Sequence, residues 1–223
     1  EFIRRLGGGN AYALTCPLIT KADGSKFGKS EGGNIWLDPE KTSPYKFYQF
    51  WLNQSDEDAL KSIKIFTMKG ENEIKQLANK HNESPHTRIL QNTLAEDITI
   101  TVHSQEALEN AKAASEILFG KTNEENVRKL SKGALESIGN EVPKYKVSKE
   151  TITNEVGIID LLSKHTPVFS SKGEARRALK NNAVALNKTK VQDSKTVSSL
   201  DIIQSDYILI QNGKKNYHLI NLV

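Results

Sequence analysis

Between residues 46 and 118 the apolar side chains return with the spacing of a helix face, and that periodicity constrains this chain more than any other feature. Leu90, Leu94 and Ile98 step by four residues, and Leu60, Ile63 and Phe66 step by three. Ile74, Leu77 and Ala78 mark a further stripe, and Leu108, Ala111 and Leu118 another. Spacings of three and four bring side chains to one side of an α-helix, whereas a strand would alternate them between faces. Start signals punctuate the pattern. Ser43-Pro44 has the form of an N-cap followed by proline at the first helical position, and Ser55 and Ser104 precede two other stripes. Asp56, Glu57 and Asp58 suit the positive end of a helix dipole. The aromatic run Tyr45, Phe47, Tyr48, Phe50 and Trp51 places Phe47, Tyr48 and Trp51 on one buried face. An all-helical region over 46–118 is predicted.

The flanks differ. Residues 1–42 are broken by Gly7-Gly8-Gly9, Gly24, Gly28 and Gly32-Gly33 and read as loop-rich. Between 119 and 155, Gly120, Gly133, Gly139 and Pro143 interrupt the pattern, and Lys144, Lys146 and Lys149 read as a solvated linker. Residues 156–223 read α-α-β-β-β. Ile158, Ile159, Leu161 and Leu162 give a short helix closed by Pro167. Ser171 caps a second helix from Glu174 to Lys180, stopped by Asn181-Asn182. Short strands flank Asn187-Lys188, and Asn212-Gly213 between two apolar runs predicts a hairpin.

Charge follows this organisation. The 223-residue chain carries +4 in all, with +1 over 1–45, −2 over 46–155 and +5 over 156–223. A basic segment beside a neutral one suggests a nucleic-acid contact, although a solubilising surface has the same composition. No apolar run approaches the length of a membrane span. The single cysteine, Cys16, excludes an internal disulfide and fits a reducing, cytoplasmic setting; beside Pro17 it reads as a small core residue. The five histidines are scattered, read as surface or capped side chains, and give no metal-ligand spacing.

One short segment carries chemistry. Lys26-Phe27-Gly28-Lys29-Ser30 sets two ammonium groups three residues apart around a glycine. Both could close on a triphosphate and neutralise charge as pyrophosphate leaves, although any solvated loop has this composition. Its surroundings are more specific. Leu14-Thr15-Cys16-Pro17-Leu18-Ile19-Thr20, Asp23-Gly24, Trp36-Leu37-Asp38 and Ser43-Pro44-Tyr45-Lys46-Phe47-Tyr48-Gln49-Phe50-Trp51 together closely resemble bacterial tyrosyl-tRNA synthetases. The likeness continues through Val102-His103-Ser104 to Gly213-Lys214-Lys215-Asn216-Tyr217 and is weakest around 120–150.

The resemblance implies a multi-domain α+β chain. Residues 1–45 would be the tail of a Rossmann-type catalytic domain, 46–118 an all-helical anticodon-side domain, 119–155 a linker, and 156–223 a small α+β alpha-L RNA-binding domain. Lys26–Ser30 matches the family's Lys-Met-Ser-Lys-Ser loop, with Phe27-Gly28 in place of Met-Ser. Lys26 and Lys29 are the catalytic candidates, and Lys26, Phe27, Gly28, Lys29 and Ser30 the nucleotide-binding ones. For RNA the candidates are Lys172, Arg176, Arg177, Lys180, Lys188 and Lys214. Arg176 and Lys180 form an i, i+4 pair on one helix face.

By the same resemblance, the full enzyme joins tyrosine to ATP, held with Mg, and passes it to the tyrosine tRNA. It would be cytoplasmic and homodimeric, with no membrane contact. Nothing here matches the family's His-Ile-Gly-His signature, and 1–45 is short for a nucleotide-binding half-domain. A C-terminal portion is therefore expected, inactive alone, without a cofactor of its own and monomeric. Two other readings stay open: a stand-alone RNA-binding or translation-associated module without catalysis, and a protein-interaction fragment docking through 46–118.

Overall fold

The computed structural model describes residues 2–22, 24–25, 34–120 and 122–223. They divide into two compact units, one ending at Ile35 and one running from Trp36 to Val223.

The described part of the first unit holds one short helix, α1 (Phe2–Gly7), and irregular chain after it. None of its described residues is buried, and Phe2, Leu6, Tyr12, Leu14 and Leu18 all face solvent. Cys16 is exposed as well, which corrects its expectation as a core residue. Leu14 and Leu18 on either side of it are themselves uncovered, so the described residues here form no core for a cysteine to join.

The second unit begins with five helices: α2 (Pro44–Leu52), α3 (Asp56–Phe66), α4 (Glu71–Glu83), α5 (Ile89–Val102) and α6 (Gln105–Phe119). The predicted caps operate. Ser43 Oγ accepts from the Lys46 amide, Ser55 Oγ from Asp58 and Ser104 Oγ from Ala107, each satisfying a first-turn donor that the helix itself leaves unpaired. Tyr45, Phe47, Tyr48 and Trp51 are all buried where α2 packs on α5 and α6. Phe47 meets Trp51 edge-on at 6.1 Å and the His103 ring at 4.8 Å. The α6 stripe runs Leu108, Ala111, Ala114 and Ile117, with Leu118 only half-buried. His81 on α4 is buried, not at the surface, and its Nε2 lies 3.2 Å from an oxygen of Asp56 in the first turn of α3.

Residues 119–155 are structured where a linker was expected. They carry α7 (Glu124–Arg128), α8 (Lys132–Gly139), the strand β1 (Lys144–Val147) and α9 (Lys149–Thr153). The three lysines that suggested a linker belong to an edge strand and the helix after it. Lys144 and Lys146 alternate with half-buried Tyr145 and buried Val147, the period of a strand, and charged side chains are a common guard of a sheet edge.

The remaining elements are β2 (Val156–Gly157), α10 (Ile158–Asp160), a π-type turn over Leu161–His165, α11 (Lys172–Lys180), β3 (Val184–Leu186), β4 (Thr189–Lys190), β5 (Thr196–Val197), β6 (Tyr207–Asn212) and β7 (Asn216–Leu222). Five strands form a mixed sheet in the order β1-β7-β6-β3-β4, with β1 parallel to β7 and the other pairs antiparallel. β2 and β5 form a separate antiparallel pair.

Both sheet faces are covered, which explains the unbroken apolar run Tyr207-Ile208-Leu209-Ile210. Ile208, Ile210, Ile220 and Leu222 pack on Leu161, Leu162, Ala175 and Leu179 of the helical layer. On the other face α8 approaches β7 so closely that a Cβ at Gly139 would lie 2.8 Å from Leu219 Cδ2. The hairpin turn is one residue longer than predicted. Asn212 stays in β6 because Val184 pairs with it from the other side, so the turn falls on Gly213, Lys214 and Lys215, with Gly213 at φ +73.

Candidate nucleic-acid interface

α11 is built so that one face must be buried and the other must be charged. Ser171 Oγ accepts from the Glu174 amide, and the Glu174 carboxylate reaches back to Ser170, accepting from its amide at 3.0 Å and its hydroxyl at 2.7 Å. These bonds hold the Glu174 carboxyl below the usual carboxylate range. Ala175 and Leu179 are fully buried. At about 100° per residue, Arg176, Lys180 and Arg177 fill an arc of roughly 100° on the opposite side, with Gly173 inside it. All three cations are exposed, and none forms a salt bridge among the described residues.

Exposed Lys64, Lys80, Lys144, Lys146 and Lys190 share that property singly, whereas α11 gathers three such cations on one face. Another group of cations differs. Lys61, Lys69, Lys75, Lys112, Arg128 and Lys129 each pair with a carboxylate, and Lys132 and Lys149 share Asp206. Lys172, at the edge of the arc, is tied to Asp160 at 2.6 Å, and this bond lowers the Asp160 pKa. Lys164, absent from the predicted set, is exposed and close enough to Asp160 to add to that lowering.

Lys214 joins the arc through the backbone. Ala183 donates its amide to the Ala178 carbonyl of α11 and accepts at its own carbonyl from the Gly213 amide. The hairpin turn, with exposed Lys214 and Lys215, is thereby fixed beside the C-terminal end of α11, where Arg177 and Lys180 lie. Lys215 was legible only as one more lysine of a basic segment.

Lys188 behaves differently. Its ammonium points inward, donating to the Ile117 carbonyl at 2.6 Å and to the Tyr217 hydroxyl, and it lies 4.5 Å from the centre of the Tyr217 ring. Burial lowers its pKa from the ordinary lysine value. This ammonium is not presented to a phosphate, which corrects its place among the RNA candidates. Its position in a turn between two short strands gave no sign of that.

Lys26, Phe27, Gly28, Lys29 and Ser30 lie outside the described residues. On their N-terminal side the chain forms a tight turn, with the Lys21 amide bonded to the Ser25 carbonyl and Gly24 at φ +81. Trp36 is about half exposed, with Lys41 Nζ 4.8 Å above its ring. Among the described residues no three His, Cys, Asp or Glu side chains gather as a metal site, and no helix is long and apolar enough to cross a membrane.

Comparison with known proteins gives this geometry a context. The family described as tRNA synthetases class I (W and Y) matches residues 1–120, and the Tyrosine--tRNA ligase SYY-like C-terminal domain matches residues 134–220. The chain is 55% identical over 221 residues to the tyrosine--tRNA ligase of Porphyromonas gingivalis, covering 99% of this chain and 51% of that protein. The Bacteroides fragilis tyrosine--tRNA ligase is 50% identical over 99% of this chain and 51% of its own length. The chain thus spans about half the length of the curated relatives it matches. A C-terminally truncated Coccidioides posadasii mitochondrial tyrosyl-tRNA synthetase overlaps 44% of this chain and 25% of its own, at 33% identity and a TM-score of 0.38. At that score the overlap adds nothing to the fold described above.

Proposed function

Because the chain belongs to the class I tRNA synthetase family of tryptophan and tyrosine, we propose that it is the C-terminal portion of a tyrosine--tRNA ligase and that its own task is to hold the tRNA. The observation that carries this reading is the arc of unpaired cations on α11, extended by the Gly213–Lys215 turn. An exposed cation without a carboxylate partner keeps its full attraction for a phosphate. Arg176, Arg177, Lys180 and Lys214 are the proposed phosphate contacts, with Lys172 available if it exchanges Asp160 for RNA. Such contacts position an RNA and carry little base information.

In the complete enzyme ATP, held with Mg, is a substrate, and Lys26 and Lys29 are the proposed contacts to its phosphates. Two ammonium groups there would neutralise the charge that develops as tyrosyl-adenylate forms and pyrophosphate leaves. Phe27, Gly28 and Ser30 complete that loop, with glycine allowing close backbone approach and serine offering a hydroxyl donor. The proposed organisation is catalytic tail over 1–45, helical anticodon-side domain over 46–118, and RNA-binding domain toward the C-terminus. The helices and strand of 119–155 join the last two. The complete enzyme is read as a cytoplasmic homodimer, and this chain alone as a monomer that forms no tyrosyl-adenylate. The synthetase match over residues 1–120 favours the ligase over a stand-alone RNA-binding module.

The test is a titration of labelled tyrosine tRNA with the 223-residue chain, beside a non-cognate tRNA and an Arg176/Arg177/Lys180→Ala variant. Binding that prefers the cognate tRNA and collapses in the variant supports the reading. Equal, feeble binding of both tRNAs, unaffected by the substitutions, refutes it.

A further inference from the structure

Lys188 is held at some cost in an unusual place. It sits at φ 72 beside Asn187 at φ 48, so two consecutive residues with side chains occupy the left-handed region. Asn187 locks this turn from inside, donating from Nδ2 to the Asp201 carbonyl at 2.6 Å and accepting at Oδ1 from the Leu209 amide at 2.9 Å. The Lys188 ammonium is part-buried, yet among the described residues no carboxylate pairs with it. Its partners are a helix carbonyl, a phenol and an aromatic face. Ile117 belongs to the last turn of α6, whose carbonyls have no intrahelical partners and whose dipole end attracts a cation. A lysine 71 residues away in sequence thus caps α6.

The surrounding bonds run in the same direction. Thr189 donates to the Glu124 carboxylate at 2.5 Å, and Arg128 donates to the Leu200 carbonyl at 2.9 Å. Together with Lys188 they tie the β3–β4 side of the sheet to α6 and α7. On its other side the sheet is attached through α8 against β7 at Gly139 and Leu219, with Tyr207 donating to Glu136, Gln204 donating to the Leu130 carbonyl and Lys132 paired with Asp206. β7 and β3 are separated by β6, so the Leu219 contact and the β3–β4 side stand about two strand spacings apart, roughly 10 Å. Attachments along one side alone leave a sheet freer to rock, whereas attachments on both sides fix its angle.

We propose that Lys188 is a positioning residue: by capping α6 it sets the angle at which the basic arc of α11 is presented relative to the helices α2–α6, so that one tRNA can meet both. This rests on the RNA-binding reading above. It also accounts for a charge kept where burial disfavours it and a lysine where glycine would fit the backbone better.

The experiment uses the whole 223-residue chain with Cys16→Ser, and spin labels at Glu106→Cys on α6 and Asp193→Cys on the sheet side, both exposed positions. The distance distribution between the labels is measured with Lys188 present and as Lys188→Met, which keeps the apolar stem. Tyr217→Phe serves as a milder second variant. The distribution is expected to widen by up to about twofold in Lys188→Met, as the α6 cap is lost and only the Thr189 and Arg128 bonds hold that side, and less in Tyr217→Phe, while thermal unfolding shows both variants folded. Affinity for the tyrosine tRNA should fall about tenfold, because only correctly angled molecules engage both surfaces. The salt dependence of binding should keep its slope, since no phosphate contact is lost.

An unchanged distribution in folded Lys188→Met overturns the proposal. So does a salt slope that falls by about one unit, which would make Lys188 a phosphate contact instead. If the parent chain binds no tRNA, the reading of function fails, and the label distances still decide whether Lys188 sets the angle.

Discussion

The helices of 44–119 and the sheet domain that follows them use charge in opposite ways. On the helices, charge is mostly answered where it stands: Lys61 by Glu57, Lys75 by Glu71, Lys112 by Glu96, and Lys69 by both Glu73 and Asp97. The pairs of Lys61, Lys75 and Lys112 are exposed and add little to stability, and Lys69 is partly covered. Their effect is a surface with little net field. On α11 and its neighbouring turn the cations other than Lys172 have no salt-bridge partner among the described residues, and the local field remains available to an anionic partner. Net charge by segment hinted at this difference, but pairing defines it: Lys46, Lys61, Lys69, Lys75 and Lys112 of the helical region are paired, leaving exposed Lys64 and Lys80 as its lysines without a salt bridge among the described residues.

Substitutions can break this comparison from either side. The largest effect is expected in the helical core. Phe47→Ala removes a fully buried ring that touches Trp51 and His103 and should cost about 3–5 kcal/mol in denaturant unfolding. If the two regions are as distinct as described, the variant's remaining folded fraction still binds tRNA with the parent's salt slope. A changed slope would mean that the helices supply phosphate contacts too.

Next in size is the contact between the regions. Gly139→Val would push a side chain into Leu219 and the Lys144 stem, and is expected to destabilise by about 1–3 kcal/mol. Hydrogen exchange should then rise first at Leu219 and Ile220 of β7. Uniform exchange over the chain would show that α8 does not seat the sheet.

Lys188 gives a smaller, pH-dependent effect. Its pKa in the fold lies below its unfolded value, so between the two the unfolded chain binds more protons and stability rises with pH. Urea midpoints of the parent chain should therefore carry an upward component as pH climbs toward 10.5, and Lys188→Met should lack it. Parallel curves would place that ammonium in solvent.

The smallest effect sharpens the contrast. Glu57→Gln breaks the exposed pair with Lys61 and is expected to leave the urea midpoint nearly unchanged. It does leave one more unanswered cation on the helices, so weak nonspecific RNA binding that grows with such substitutions would confirm that pairing keeps this surface neutral.

Much of this architecture was legible in the residues, for identifiable reasons. Ser43, Ser55, Ser104 and Ser171 announced helix starts because their side chains satisfy donors a helix cannot. The aromatic run at 45–51 and the stepping of Leu90, Leu94 and Ile98 registered helix faces that depend on local spacing alone. What escaped depends on contacts distant in sequence. β1 exists through its pairing with β7, some 75 residues later, so Lys144 and Lys146 looked like a linker. The Asn212-Gly213 turn lengthened because Val184 holds Asn212 in its strand. Charge counting found the basic segment but could not separate Arg176, Arg177 and Lys180, which are unpaired, from Lys172, tied to Asp160, and Lys188, turned inward.

The central claim is that the unanswered cations of α11 are the RNA-facing surface. The most direct measurement is the salt dependence of tyrosine tRNA binding by the parent chain and by its Arg176/Arg177/Lys180→Ala variant. Loss of three phosphate contacts predicts a slope of log affinity against log salt that is shallower by about two to three units, with unfolding unchanged. Equal slopes in two folded proteins would contradict it and place the RNA on another face.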